Sequence, residues 1–116
     1  MSEPRRNDHV RVRPRRLRRT SALRQLVTEA RRHPSDLVLP LCYREGRVSP
    51  KAIPSMPGVV QHTEDSLRVA VNDAAAAGLG GIMLFAVPEK RDELGSGATD
   101  PDGALNFAVR TALKEV

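Results

Sequence analysis

The sequence is poor in the residues that staple small proteins or stack on flat ligands. It has one cysteine, Cys42, no tryptophan, one tyrosine and two phenylalanines. A disulfide within the chain is therefore excluded, and so is a zinc site built from cysteine pairs. No apolar run approaches the roughly 18 residues that cross a bilayer, and the arginines near the N-terminus are not followed by the apolar stretch of a signal peptide. The expected location is the cytoplasm, with no membrane partner. Lysine is also scarce. Lys51, Lys90 and Lys114 each lie beside proline, charge or a helix end, whereas a Schiff-base lysine needs an apolar setting that lowers its pKa.

What is present is ordinary in amount and uneven in placement. The 116 residues are 40% hydrophobic and 28% charged, as expected of one globular domain. The net charge of +5 is not spread along the chain. Residues 1–32 carry eleven arginines against Glu3, Asp8 and Glu29, a net of +8, while residues 33–116 carry eight basic and eleven acidic groups, a net of −3. This asymmetry marks an appended arm and not a basic domain face. Arg5, Arg6, Arg11, Arg13, Arg15, Arg16, Arg18 and Arg19 could each neutralise a phosphate, yet no aromatic side chain is interleaved with them for base stacking. Sequence-specific binding of nucleic acid is therefore not expected. A solvated arm, disordered or docked on an acidic partner, fits better.

The pattern along the chain is α/β. Pro4 and Pro14 punctuate the arm. Thr20 or Ser21 caps a helix whose Leu23, Leu26, Val27 and Ala30 share one face, and His33-Pro34-Ser35-Asp36 ends it. Leu37–Cys42 reads as a strand apolar on both faces, although Pro40 removes a ladder donor and points to a first or edge strand. A long ordered loop follows, with Met56-Pro57-Gly58 suited to a turn of positive φ. Thr63 caps a helix with Leu67, Ala70, Val71, Ala74 and Ala75 on one side, which Gly78 stops. Ile82–Val87 is the clearest strand, bounded by Gly80-Gly81 and Pro88. A polar loop leads to Asp100-Pro101, read as N-cap and first residue of a helix through Val116. Burying the six residues Ile82–Val87 is worth on the order of 10 kcal/mol and needs neighbours on both faces. The chain supplies too few, so it reads as the front portion of a larger (β/α) domain.

No segment carries a recognisable reaction centre. Gly78-Leu79-Gly80-Gly81 follows a helix and precedes a strand, the reverse of the order in a phosphate loop, and reads as a tight turn. Gly95-Ser96-Gly97 follows a strand but has no Lys-Ser/Thr pair after it, and reads as a mobile loop. His9, His33 and His62 lack ligand spacing. Cys42 has no sequence-local base and reads as a structural thiol. Glu89-Lys90-Arg91-Asp92-Glu93 is a charged turn that could frame a site. No catalytic, cofactor-binding or metal-binding residue is assigned.

Several segments, taken together, are similar to the opening of porphobilinogen synthase, the 5-aminolevulinate dehydratase family. These are Arg15-Arg16-Leu17-Arg18-Arg19 with Leu23-Arg24, Asp36-Leu37-Val38-Leu39-Pro40-Leu41, and Ile53-Pro54-Ser55-Met56-Pro57-Gly58-Val59. Leu84-Phe85-Ala86-Val87-Pro88, Asp92-Glu93 with Gly95-Ser96, and Pro101-Asp102-Gly103 follow in the family's order. Ala86 stands where the family more often has glycine, and Cys42-Tyr43 replaces a more usual Phe-Val pair. The resemblance implies a TIM (β/α)8 barrel of which only the first two β/α units are present in residues 36–116, preceded by a basic arm with a short helix in residues 1–35. It implies condensation of two 5-aminolevulinate molecules to porphobilinogen with loss of water, a lyase reaction of haem and tetrapyrrole biosynthesis. It further implies Zn²⁺ or Mg²⁺ and a homo-oligomer in which the arm wraps a neighbour. The family's active-site lysines and metal ligands fall beyond the matched stretch, so this chain is expected to be inactive alone and to bind no metal. The alternatives are a small α/β module whose arm binds nucleic acid, or a non-functional gene fragment.

Overall fold

The computed structural model describes residues 15–116. Arg5, Arg6, Arg11 and Arg13 of the expected arm, with His9, lie outside the described residues. The chain divides into two units, Met1–Arg32 and His33–Val116. In the first, a 3-10 turn, Arg16–Arg18, precedes helix α1, Ser21–Leu26. Thr20 caps α1, its hydroxyl oxygen accepting from the Leu23 amide at 3.2 Å. The helix is shorter than the periodicity predicts. The Thr28 hydroxyl donates to the Arg24 carbonyl at 2.5 Å, occupying an oxygen that a continuing helix would give to the Thr28 amide. Ala30 is therefore outside the helix, and within this unit Leu26 and Val27 remain exposed.

The second unit is a sheet with two helices. Strands β1 (Val38–Arg44), β2 (Lys51–Ala52), β3 (Val60–His62) and β4 (Gly81–Val87) lie in the order β2-β3-β1-β4. Strands β1 and β4 are parallel over their whole length, from Val38↔Gly81 to Arg44↔Val87. Strand β3 runs parallel to β1 at Cys42↔Gln61 and Tyr43↔His62, and β2 is antiparallel to β3. The expected loop after Cys42 thus contains a hairpin whose arms, at two and three residues, are too short to show periodicity. Its turn closes through Ile53 N–H to Val59 O at 3.0 Å and Val59 N–H to Met56 O at 3.0 Å, with Gly58 at φ +82° as the sequence predicts.

Of the two readings of Pro40, the first strand holds and the edge strand needs correction, because β1 is first in the chain and central in the sheet. Strand β3 reaches only Cys42 and Tyr43, so Pro40 lies in the half of β1 that pairs with β4 alone. There its missing amide breaks no ladder on the β3 side.

Helix α2 (Glu64–Ala76) starts where predicted. Thr63 Oγ1 accepts from the Ser66 amide while Ser66 Oγ accepts from the Thr63 amide, with Glu64 and Asp65 at the positive end of the dipole. It ends at Gly78, φ +70°, through Leu79 N–H to Ala74 O and Gly78 N–H to Ala75 O. Helix α3 (Ala104–Leu113) starts later than predicted and ends before Val116. Asp100 does not cap it, because the Asp100 carboxylate accepts from Asp102 N–H and its carbonyl from Gly103 N–H, folding residues 100–103 into a turn.

Both helices cover the same side of the sheet. Leu39, Leu41 and Tyr43 of β1 and Ile82, Leu84 and Ala86 of β4 pack with Leu67 and Val71 of α2 and Ala104, Ala108 and Ala112 of α3. Leu67 and Ala108 are fully buried. Arg68 pairs with Glu64 at 2.6 Å, and Asn72 donates to Glu115 at 2.8 Å, tying α2 to the end of α3. The opposite face has no cover within His33–Val116: Val38, Met83 and Phe85 are each more than half exposed. The strands are thus covered on one face and bare on the other, as expected of a chain that supplies too few neighbours for both. No helix among the described residues is long and apolar enough to cross a membrane.

Candidate functional site

Because β1 and β4 are parallel, the segments that follow them leave from the same edge of the sheet. The turn after β1 and the loop from Pro88 to Gly103 enclose a cavity of about 470 Å³, lined by Glu45, Glu89, Lys90, Arg91, Asp92 and Asp102 among others. Two hydrogen bonds hold its sides together: the Glu45 amide donates to Val87 O at 3.2 Å, and the Glu45 carboxylate accepts from the Glu89 amide at 2.9 Å. Gly46 is required at the turn. It sits at φ +72°, and a Cβ there would lie 3.2 Å from the Glu89 carboxylate.

The longer loop is an ordered structure and not a loose connection. Asp92 accepts from the Ser96 amide at 2.8 Å. Hydrogen bonds from the Ser96 side chain, and then from its backbone, hold the Asp92 carboxyl below its ordinary pKa. Gly95, at φ +65°, opens a 3-10 turn over Ser96–Ala98. Downstream, Asn106 donates to Asp100 O at 2.6 Å, and Arg110 donates to Pro101 O and pairs with Asp102 at 3.2 Å. Gly103 closes against Gly97, leaving no space for a side chain. A second cavity of about 290 Å³ shares Lys90, Arg91 and Asp92 with the first and reaches Ala86, Gly95 and Leu105.

The residues singled out in the sequence are dispersed. Lys51 is on β2, Lys90 on the rim of the larger cavity and Lys114 at the end of α3, all exposed; none has the apolar surroundings of an imine-forming lysine. His33 caps the turn Pro34–Asp36, its ring nitrogen accepting from the Ser35 amide. His62 bonds Ser66 Oγ at 3.1 Å, and burial pushes its pKa down, partly opposed by Ser66. Cys42 is half-buried on the uncovered face, level with Phe85. Gly80 belongs to a helix-to-strand turn, its amide donating to Leu37 O at 3.0 Å.

Sequence reasoning missed the Glu45–Glu89 bridge and the tilted Tyr43–Phe107 pair, 5.9 Å between ring centroids. Burial, then the charges of Glu45 and Glu64, pushes the Tyr43 phenol up. Neither contact has a local signature. Among the described residues no three His, Cys, Asp or Glu side chains come together to hold a metal ion. The donor set for Zn²⁺ or Mg²⁺ is thus not met by these residues. The edge can frame a ligand with carboxylates and two cations.

Three comparisons bear on this arrangement. The family model described as Delta-aminolevulinic acid dehydratase matches residues 11–116. The delta-aminolevulinic acid dehydratase of Streptomyces coelicolor is 53% identical over 107 residues, covering 90% of this chain and 32% of the relative. That of Mycobacterium tuberculosis is 51% identical over 112 residues, covering 95% and 34%. The crystal structure of the Toxoplasma gondii delta-aminolevulinic acid dehydratase with the reaction product porphobilinogen superposes with a TM-score of 0.72 at 34% identity, covering 91% of this chain and 30% of that one. The chain spans about a third of the length of the relatives it matches.

Proposed function

This chain belongs to the delta-aminolevulinic acid dehydratase family, and from that premise we propose that it acts in the condensation of two 5-aminolevulinate molecules to porphobilinogen. Its part is scaffold and frame. Strands β1 and β4 serve as the first two strands of a (β/α)8 barrel, with α2 and α3 on the outside and the face of Val38, Met83 and Phe85 turned inward. The observation that carries this reading is the full-length parallel register of β1 and β4, which sends both following loops to one edge. Active sites of (β/α)8 barrels gather at the carboxyl ends of the strands. The free edge of β4 and the bare apolar face support the same reading, since an open parallel sheet of this composition is otherwise a liability.

The amino-terminal arm, proposed over residues 1–35, serves homo-oligomerisation. Leu17, Leu26 and Val27 need a cover that their own unit does not give, and the net charge of +8 complements the −3 of residues 33–116 of a second copy. Any metal the reaction uses is held by residues outside those described here, and the reaction takes place in the cytoplasm.

The test is a graft. A chimera in which residues 11–116 replace the matching third of the Streptomyces coelicolor relative is expected to form porphobilinogen from 5-aminolevulinate, followed by a colorimetric pyrrole assay. The 116-residue chain alone is expected to form none and to give no borohydride-trapped imine. A folded, assembled chimera without turnover, or turnover by the chain alone, would refute the division of labour.

A further inference from the structure

A second group of charges lies at the β2–β3 end of the sheet, apart from the carboxylate-lined cavity. The register places Lys51 opposite Gln61 and Gln61 opposite Cys42, so these three side chains project from one face. Arg44, two residues after Cys42, is the next residue of β1 on that face. The left-handed turn at Gly46 brings Arg47 back to the same place, and Arg47 Nε donates to Ser49 O at 3.2 Å, which fixes the guanidinium while its two outer nitrogens have no hydrogen-bond partner among the described residues. Arg44, Arg47, Lys51 and Gln61 line a pocket of about 250 Å³ whose other walls are Ala52, Ile53 and Pro54.

No acidic residue lines this pocket, and none of its three cations forms an ion pair with a carboxylate among the described residues. Arg68 and Arg110, by contrast, pair with Glu64 and Asp102. Like charges drawn together repel unless a counter-charge sits between them, and a guanidinium fork beside an ammonium and an amide N–H₂ matches an oxyanion with two or three acceptor oxygens.

We propose that this pocket binds a small oxyanion, the carboxylate or phosphate group of a small organic molecule. Arg44 and Arg47 hold its charge, Lys51 closes the outer side and the Gln61 amide donates the remaining hydrogen bond. Arg44 and Gln61 lie on the Cys42–Phe85 face that the reading above turns inward, but the assignment is argued from the charges and geometry of the pocket alone.

Two-dimensional ¹H–¹⁵N spectra of the 116-residue chain, titrated separately with inorganic phosphate and with succinate, test it. Saturable shifts are expected at the Arg47 side-chain Nε and at the Lys51 and Gln61 amides. Arg44→Gln with Arg47→Gln is expected to weaken binding at least tenfold. The exposed Lys51→Gln, which leaves β1 untouched, is expected to weaken it several-fold, and unchanged Gly81–Val87 resonances establish that each variant is folded. Tighter binding of phosphate assigns a phosphate ligand, and tighter binding of succinate a carboxylate. Shifts absent with both anions, confined to Arg15–Arg32, or unchanged in affinity in Lys51→Gln would overturn the proposal.

Discussion

Replacing Gly103 with alanine adds one methyl group where the structure has no space for it. A Cβ on Gly103 would stand 2.0 Å from the carbonyl oxygen of Gly97 and 3.1 Å from that of Asp100, against an ordinary contact of 3.4 Å or more. Both obstacles are backbone, so the Ser96–Ala98 turn must move by roughly 1.4 Å, the difference between 2.0 and 3.4 Å. That movement strains the Gly103 N–H to Asp100 O bond and the Asn106 side-chain bond to Asp100 O, now 2.9 and 2.6 Å, together with the start of α3 at Phe107 N–H to Gly103 O, 2.9 Å. Losing two or three such bonds at about 0.5–1.5 kcal/mol each, with residual strain, costs about 2–4 kcal/mol. In a domain of this size that lowers the melting midpoint by about 10–25 °C. Gly97→Ala is the matched control, because a Cβ there meets nothing within 4 Å and the backbone is not left-handed. It is expected to change stability by less than about 0.5 kcal/mol. Urea or thermal melts of the two variants give the comparison. Equal midpoints would refute the argument that the closing of loop 88–103 on the start of α3 is set by steric exclusion at Gly103.

Other expected outcomes follow from single residues. Leu67→Ala empties a fully buried position between α2, α3 and β1 and is expected to cost about 2–5 kcal/mol in a urea melt; a loss under about 1 kcal/mol would mean that the core is not packed as described. His62 is held below its ordinary pKa of 6.5, so the unfolded chain binds the proton more tightly than the folded one. Its contribution is complete above that value and is lost as pH falls through 6.5 toward the folded pKa, and melts between about pH 7.5 and 5 are expected to show a decline that His62→Gln flattens. Ser96→Ala removes the main cause of the depressed Asp92 pKa and is expected to raise it toward the ordinary carboxylate value, read from the Asp92 carboxyl resonance during an acid titration. An unchanged titration would place the cause elsewhere.

Much of the architecture is written locally. Thr63 with Ser66 starts α2, Gly78 stops it, and the run Ile82–Val87 between glycines and a proline is a strand whatever surrounds it, since caps, breakers and apolar runs act over a few residues. The failures are also physical. Asp100-Pro101 carries a strong helix-start signal, but the Asp100 carboxylate is satisfied by Asp102 before a helix begins, and α3 starts at Ala104. Pro40 argues for an edge by its lost donor, and only the limited reach of β3 reveals that the loss is harmless in a central strand. The candidate site was legible as two loops after two strands, while the Glu45–Glu89 bridge that joins them and the cluster of Arg44, Arg47 and Lys51 were not, because those residues meet across turns and registers that no spacing encodes.

By itself, then, the amino-acid order determined the split of charge between arm and body, the α/β alternation, the family resemblance and the order of the long elements. Tertiary structure alone decided the order β2-β3-β1-β4, which face the helices cover, and why Gly80 and Gly103 admit no side chain: at each, a Cβ would stand 2.0 Å from a backbone oxygen of another segment. Patterns of period two and 3.6 report how a segment meets water, whereas strand order and close backbone approach depend on which distant segment arrives, and that is settled only when the chain is packed.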